Sequence, residues 1–164
     1  MTGFAIDNAG PRDVAAITAI LNEAAATSTA TWHEYARTEA EMADWLAARQ
    51  KDYVVLAARD AAGLAGYASY GPYRTGSGYR HSVEHSLYVR KDARGRGIGK
   101  ALLAALIERA RAQGRHVLLG GVDSDNRTSI ALHAKFGFVE TGRMPQVGRK
   151  FDRWLTLVFL QKTL

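Results

Sequence analysis

The sequence predicts one domain of the mixed α/β class, with a sheet of about seven strands flanked by about four helices. A chain of 164 residues has the length of a single domain, and at this length roughly 70% of the unfolded surface is buried. Its segments follow the order β-α-α-β-β-β-α-β-α-β-β, without repeats or linkers, so residues 1–164 form one unit. Because strands and helices do not alternate regularly, a doubly wound parallel sheet is disfavoured.

The N-terminal segments are predicted as a strand followed by two helices. The strand FAIDN leads through a turn to the helix DVAAITAILNEAA, where Asp13 stands at the position of an N-cap. The polar loop TSTATWHEY precedes the helix TEAEMADWLAARQ, in which Thr38 and Glu41 have the spacing of a capping box. Each helix has one apolar face, formed by Val14, Ile17, Ile20 and Leu21 in the first and by Met42, Trp45 and Leu46 in the second.

The remaining segments complete the predicted sheet. YVVLAARD and LAGYASYGPY flank a turn at residues 60–63 and are predicted as a hairpin, and HSVEHSLYV alternates as a strand should. IGKALLAALIERARAQG is a helix that ends at Gly114. HVLLGGV is a short buried strand, NRTSIALHAKFG is a helix that ends at Gly137, and WLTLVFLQ is the last strand. The segment MPQVGRKFDRW is polar and interrupted, and it lies between two strand-like segments.

The composition favours a protein with an anionic partner. A net charge of +6 and a pI of about 9.8 fit a nucleic acid, a phosphate group or an acidic metabolite. Because no recognition motif accompanies the basic residues, we expect no nucleic-acid partner. The absence of cysteine excludes disulfides, thiolate zinc sites and a cysteine nucleophile. No segment has the pattern of a signal peptide or approaches ~18 consecutive apolar residues, so we expect a cytoplasmic protein without a membrane partner.

The glycine-rich segment VRKDARGRGIGKALL has the form of an anion site. It joins a predicted strand to a helix, and the free amides of a helix N-terminus favour negative charge. The dinucleotide fingerprint fails because Lys100 stands where its third glycine belongs. The P-loop fails because residues 94 and 101 are Arg and Ala. A third pattern, [RQ]-x-x-G-x-[GA], is matched by Arg94, Gly97 and Gly99.

This loop in its setting resembles that of the GCN5-related N-acetyltransferases (GNAT superfamily), where it grips the pyrophosphate of acetyl-CoA. The resemblance implies the GNAT fold, a mixed and mostly antiparallel sheet with splayed central parallel strands. The pantetheine arm would lie between HSLYV and HVLLGGV. Asn126 would contact it from the next helix, although Asn126 is equally suited to a simple N-cap role. The cofactor-binding residues implied are Leu87, Tyr88, Val89, Arg94, Gly95, Arg96, Gly97, Ile98, Gly99, Lys100, Asn126 and Ser129.

Two residues are candidates for the chemistry of amine acetylation. Strand alternation places Glu84 with Ser82, Ser86 and Tyr88 on one face, opposite a face that looks like core. Glu84 is therefore a candidate base, direct or through water, with a solvated carboxylate as the alternative. In much of the superfamily the last helix carries a tyrosine in an LYEKLGF-like segment. Here LHAKFGF places His133 there, as donor to the leaving thiolate, as base, or in a structural role.

The chain is most similar to one subgroup, the phosphinothricin and methionine sulfoximine/sulfone N-acetyltransferases. GPYR, SGYRHSVEHSLYV, SIALHAKFGF and GRMPQVGRKFDRWLTLVFLQ carry this resemblance. It implies acetylation of the α-amino group of small amino-acid analogues, resistance to such analogues, a homodimer and no metal. Trp32 and Tyr35 could cap the pocket, or pack ordinarily. The substrate-binding residues implied are Arg74, Thr75, Gly76, Tyr79, Arg80, Glu84, His85 and Ser86.

Three other functions stay open at this point. The enzyme could acetylate protein N-termini or polyamines, although the cationic pair Arg74 and Arg80 argues against polyamines. A non-catalytic coenzyme A-binding module would keep the glycine loop and need neither Glu84 nor His133. A nucleic-acid binder is the last alternative.

Overall fold

A computed structural model of the protein describes residues 3–164. The described chain forms one seven-stranded sheet with the strand order β1-β2-β3-β4-β5-β7-β6, together with four α-helices. The predicted mixed α/β fold is thereby confirmed. The elements are β1 Phe4–Asn8, α1 Val14–Thr27, α2 Glu39–Asp52, β2 Val55–Asp60, β3 Gly63–Pro72, β4 Ser82–Val89, α3 Ile98–Ala112, β5 Val117–Asp123, α4 Arg127–Lys135, β6 Val139–Lys150 and β7 Arg153–Thr163.

The sheet is antiparallel except at its centre, where β4 and β5 run parallel. These two strands pair only from Ser82↔Val117 to Glu84↔Leu119. Beyond Glu84, β4 continues to pair with β3 on its other side, while β5 continues with β7. The two strands therefore part and leave a wedge-shaped cleft with unpaired strand edges, as expected from the splayed parallel strands.

The helices cover the two faces of the sheet unequally. α1 and α2 pack on one face of β1–β4, where Ile17, Met42 and Leu46 meet Tyr67 in an apolar cluster. α3 packs on the opposite face, with Leu102, Leu103 and Leu106 completely buried. Burial of this kind stabilises a fold by about 25 cal/mol per Å² of apolar surface. The β4–β5 cleft lies where the two layers meet.

Of the two predicted helix caps, the one at α2 is present and the one at α1 is not. Thr38 and Glu41 form the expected capping box at α2, with Glu41 N donating to Thr38 Oγ1 over 3.2 Å. Asp13 occupies the N-cap position of α1 but makes no capping hydrogen bond, so this prediction was wrong. Its carboxylate instead accepts hydrogen bonds from Arg59 and the Gly10 amide, and these lower its pKa against the effect of burial, which raises it.

The C-terminal segment is more regular than its sequence suggests. β6 and β7 form a long antiparallel hairpin, although β6 contains two register shifts. Its turn is made by Phe151 and Asp152, whose φ angles of 51° and 56° lie in the left-handed region. Hairpin turns of this hand are normally marked by Asn-Gly or Asp-Gly. Because the sequence lacks such a pair here, neither the turn nor the polar strand before it could be recognised from the sequence.

Candidate active site

The loop before α3 presents a row of backbone amides to solvent. Gly95 and Gly97 have φ angles of 77° and 82°, which favour glycine. A Cβ atom at either position would meet nothing within 4 Å, so open space lies above the loop. Among the described residues, the backbone amides of 95–100 have no backbone acceptor, since the first helical bond runs from Ala101 N to Gly97 O. These features fit the pyrophosphate of acetyl-CoA.

The side chains of this loop have different roles from its backbone. Arg96 donates to Asp60 Oδ2 over 2.6 Å, and Arg94 donates to the Val89 carbonyl over 3.2 Å. Both guanidinium groups are therefore held beside the loop. Ile98 is buried in the core, so only its amide can face a ligand. Lys100 follows in the first turn of α3.

The β4–β5 cleft adjoins this loop. Its walls include Leu87 and Tyr88 of β4 and residues 120–123 of β5. Val89 follows on β4, and its side chain lies 3.6 Å from where a Cβ of Gly99 would be. The edge of β4 beyond Glu84 is free of β5, so its amides and carbonyls can pair with an extended ligand like an added strand. These residues fit the pantetheine arm of acetyl-CoA.

The start of α4 closes one end of the cleft. Asn126 Oδ1 accepts a hydrogen bond from Ser129 N over 3.1 Å, so Asn126 is the N-cap of α4. Asn126 and Ser129 both line the cleft, which leaves the cofactor-binding role open to them. Asp123, which the sequence analysis missed, also lies here. Its Oδ2 is buried and accepts no hydrogen bond from the described residues, although Arg153 lies 3.9 Å away.

Two histidines meet at the floor of the cleft. His85 is only 7% exposed, and its Nε2 lies 2.8 Å from Nε2 of His133. Each ring also contacts a carbonyl through Nδ1: His85 contacts Leu119 O over 2.6 Å, and His133 contacts Ser129 O over 2.7 Å. Burial, followed by the charge of His133, lowers the pKa of His85 to about 3. Burial also lowers the pKa of His133.

These contacts fit the predicted core face of β4. His85 lies within the protein and borders the cleft, on the opposite side of β4 from Glu84. The described structure thus places His85 beside His133.

Glu84 stands where β4 and β5 part. Its Oε1 lies 3.3 Å from the position that a Cβ of Gly121 would take, and Gly121 lines the cleft. Solvent reaches the side chain, while the surrounding protein desolvates the carboxylate and raises its pKa. A carboxylate of raised pKa at the mouth of the cleft is suited to accept a proton from an amine.

The predicted substrate residues between β3 and β4 lie on the surface. Arg74 stacks over the Tyr73 ring at 5.2 Å, and Arg80 donates to the Ser77 carbonyl over 2.9 Å. Thr75 and Gly76 are exposed between them. Tyr79 borders a separate cavity of about 310 Å³ over β5 and β7. The structure therefore brings Ser86 to the cleft and Glu84 to its edge, and it leaves this turn at the periphery.

A larger cavity that the sequence analysis missed opens beside the cleft. This cavity of about 340 Å³, called here the α2 cavity, lies between α1, α2 and strands β3 and β4. It shares Ser86 and Tyr88 with the cleft. Its walls combine apolar groups with the guanidinium of Arg49. The sequence signal for it, an arginine next to the apolar face of α2, is weak.

The loop between α1 and α2 is tied to the β6–β7 hairpin. Trp32 packs on Gly148, where an added Cβ would overlap the indole ring. Lys150, only 2% exposed, donates to the Ser28 and Thr31 carbonyls over 2.8 and 2.6 Å. Tyr35 is 84% exposed. Trp32 thus has the packing role, and the tied loop brings its residues 29–30 to the wall of the cleft.

The glycine loop and the cleft together have features that suit an acyl-coenzyme A molecule, and the carboxylate and histidines beside them suit acyl transfer. The model of the acetyltransferase (GNAT) family matches residues 17–138, and the chain belongs to this family. It is an acetyl-CoA-dependent N-acetyltransferase. Within residues 3–164, no cluster of three or more histidine or acidic side chains could hold a metal ion, and no helix is long and apolar enough to cross a membrane.

Proteins similar to this one align with nearly its whole length. The L-methionine sulfoximine/L-methionine sulfone acetyltransferase of Pseudomonas paraeruginosa is 51% identical over 97% of this chain and 94% of its own. The L-amino acid N-acyltransferase MnaT of Escherichia coli is 44% identical over 93% and 89%. The crystal structure of a phosphinothricin acetyltransferase from Sinorhizobium meliloti with acetyl-CoA has a TM-score of 0.96 at 37% identity, covering 100% and 89%.

Proposed function

We propose that this enzyme acetylates the α-amino group of a small amino acid or analogue, of the methionine sulfoximine, methionine sulfone or phosphinothricin type. The names of its relatives support this substrate class. The main structural support is the α2 cavity, which is of amino-acid size, has mixed apolar and cationic walls, and joins the cofactor cleft at Ser86. A cytoplasmic location is part of the same proposal.

In the proposed mechanism, the amine attacks directly within a ternary complex. Bound acetyl-CoA supplies the acetyl thioester. Glu84 takes a proton from the ammonium group, directly or through water, which frees the nitrogen lone pair for attack. The absence of cysteine agrees with a route that needs no thioester on the protein. The raised pKa of Glu84 makes it a stronger base than an ordinary glutamate.

His133 is proposed to assist departure of the thiol. It lines the cleft, and its ring is held between His85 and Ser129. Burial lowers the pKa of His133 and favours the neutral imidazole, which would stabilise the departing thiolate as a hydrogen-bond donor rather than by giving up a proton. Arg74, Thr75, Gly76, Tyr79 and Arg80 are proposed to form an outer wall of the substrate site, together with His85 and Ser86.

The substrate class is tested by measuring thiol release from acetyl-CoA across a panel of amines. The panel contains methionine sulfoximine, methionine sulfone, phosphinothricin, common amino acids, short peptides and spermidine. We expect the amino-acid analogues to give the highest kcat/KM. Exclusive turnover of peptides or spermidine would contradict the proposal, and absence of turnover with every amine would favour a coenzyme A-binding module.

Replacement of Glu84 tests the proposed base. We expect Glu84→Gln to lower kcat by roughly 10²-fold, because the amide cannot accept the ammonium proton. Calorimetric binding of coenzyme A should not change, since Glu84 does not line the cofactor cleft. Full activity in this variant would remove Glu84 from the mechanism.

A homodimer is also proposed, formed through the β6–β7 hairpin. Four large apolar side chains are exposed around its turn, and together they are called here the hairpin patch: Met144, Val147, Phe151 and Trp154. Large apolar side chains exposed on neighbouring segments are a feature of interaction sites.

A further inference from the structure

The Arg49 guanidinium occupies an unusual position on the sheet. The Arg49 guanidinium lies against Gly71, at the place where a Cβ of that residue would stand. The guanidinium therefore lies directly on the Gly71 backbone, in the space that only a glycine leaves open. Trp45 lies beneath the same group, with the Arg49 Cζ 5.6 Å from its ring centroid.

This cation is partly desolvated and has no anionic partner. Arg49 is half-buried, and burial lowers its pKa. Within residues 3–164, no carboxylate or carbonyl accepts a hydrogen bond from it. The other arginine of the α2 cavity differs, because Arg37 lies 3.8 Å from Glu41. A fixed guanidinium in a cavity, without a partner, is suited to bidentate binding of a carboxylate.

The position of Arg49 also relates it to the proposed base. Gly71 pairs with Glu84 across β3 and β4, so their Cβ positions lie on the same face, about 5 Å apart. Arg49 Nη1 lies at the Cβ position of Gly71, on the β3 side of this residue pair. The amine nitrogen and carboxylate carbon of an amino acid are roughly 2.5 Å apart. The Glu84 carboxylate is directed towards Gly121 of β5, so an α-amino acid lying between the two groups would place its amine towards Glu84 and its carboxylate towards Arg49.

We propose that Arg49 binds the α-carboxylate of the acceptor, with the acceptor's side chain in the α2 cavity. Leu21, Met42, Trp45 and Tyr67 provide apolar walls there, and Ser69 and Ser86 provide hydroxyl groups. This arrangement selects a free α-carboxylate beside the reacting amine and disfavours peptides, whose carboxylate is remote. The inference rests on the proposed function.

The test compares L-methionine sulfone with its primary amide, which has the same amine and side chain but no carboxylate. We expect Arg49→Met to lower kcat/KM for the acid roughly 10²-fold, mainly through KM, and to leave the amide within about threefold of the wild-type enzyme. Arg49→Lys should recover part of the loss, since it keeps the charge without the fork. The surface variant Arg111→Met should keep the wild-type preference for the acid.

Gly71→Ala provides a second variant that keeps Arg49. The new methyl group would meet only the end of the Arg49 side chain, so the fold should persist while the guanidinium moves away. We expect the same loss of preference for the acid over the amide. Melting temperature and coenzyme A affinity, both measured for each variant, should match the wild-type protein.

Three results would overturn the inference. Equal losses with acid and amide would show a structural role for Arg49. An unchanged preference in Arg49→Met would show no role, and transfer of the effect to Arg74→Met would place the carboxylate at the β3–β4 turn. Failure of the proposed function is recognised separately, because the wild-type enzyme itself would then acetylate neither compound, and the inference would fall with it.

Discussion

The contacts of His85 and His133 define how many protons the pair holds. A carbonyl only accepts, so hydrogen bonds to Leu119 O and Ser129 O each require N–H at Nδ1. Two neutral rings then have no proton left for the Nε2···Nε2 contact of 2.8 Å. A neutral pair has one alternative arrangement. The proton of His133 then sits on Nε2 and is donated to His85 Nε2, while His133 Nδ1 accepts from the Ser129 hydroxyl 3.4 Å away.

Burial of His85 predicts an acid-sensitive fold. Its pKa is lowered from an ordinary 6.5 to about 3 in the folded protein, so the unfolded chain binds more protons between these values. This contribution to stability is complete above pH 6.5 and falls as the pH drops towards 3. Between pH 6.5 and 5, above the main titration of carboxylates, the loss is about 2 kcal/mol.

Urea unfolding at pH 5 to 7.5 measures this dependence. We expect His85→Gln to flatten the slope of unfolding free energy against pH, because glutamine carries no titrating group. His116→Gln, at an exposed histidine, should keep the wild-type slope. Parallel slopes for His85→Gln and the wild-type protein would show that burial of His85 does not cause the pH dependence of the unfolding free energy.

Among the elements, the loop before α3 is expected to bind the cofactor mainly through its backbone amides. Gly97→Ala places a side chain at φ 82°, in the region that L-residues rarely adopt. The loop must therefore shift, and we expect coenzyme A to bind at least roughly tenfold more weakly, from about 1–2 kcal/mol of strain. Calorimetry with coenzyme A provides the measurement.

Gly10→Ala is a suitable control for this loop variant. Gly10 has φ −143°, and an added Cβ there meets nothing within 4 Å. Its coenzyme A affinity should equal that of the wild-type protein. Unchanged affinity in Gly97→Ala would mean that the loop amides do not hold the pyrophosphate.

Local patterns explain which elements could be predicted from the sequence. The capping box of α2, the glycine that ends α3 and the loop at residues 94–99 depend on residues within a few positions of one another. The capping bond of Asp13 failed because Arg59, a distant residue on β2, binds the carboxylate. The α2 cavity was missed for the same reason, since Arg49 and Gly71 belong to different elements and their contact depends on the fold.

At the scale of the whole molecule, the sheet is covered unevenly. α1 and α2 shield one face of β1–β4, while the side chains of the hairpin patch on β6, β7 and their turn are exposed. Lys150 and Trp32 fasten this hairpin to the loop that borders the cleft. A partner bound at the hairpin would therefore contact an element that is tied to the wall of the cleft.

The proposed homodimer predicts how the size of the protein responds to a charge in the hairpin patch. We expect the wild-type protein to sediment at twice its 17.9 kDa chain mass. Val147→Asp should sediment as a monomer, because a carboxylate buried in an apolar interface loses its hydration. Val147 is exposed in the single chain, so the melting curve of the monomer should stay cooperative. Val139→Asp, at an exposed valine on the far end of β6, should remain dimeric, and dimerisation of both variants would place the interface elsewhere.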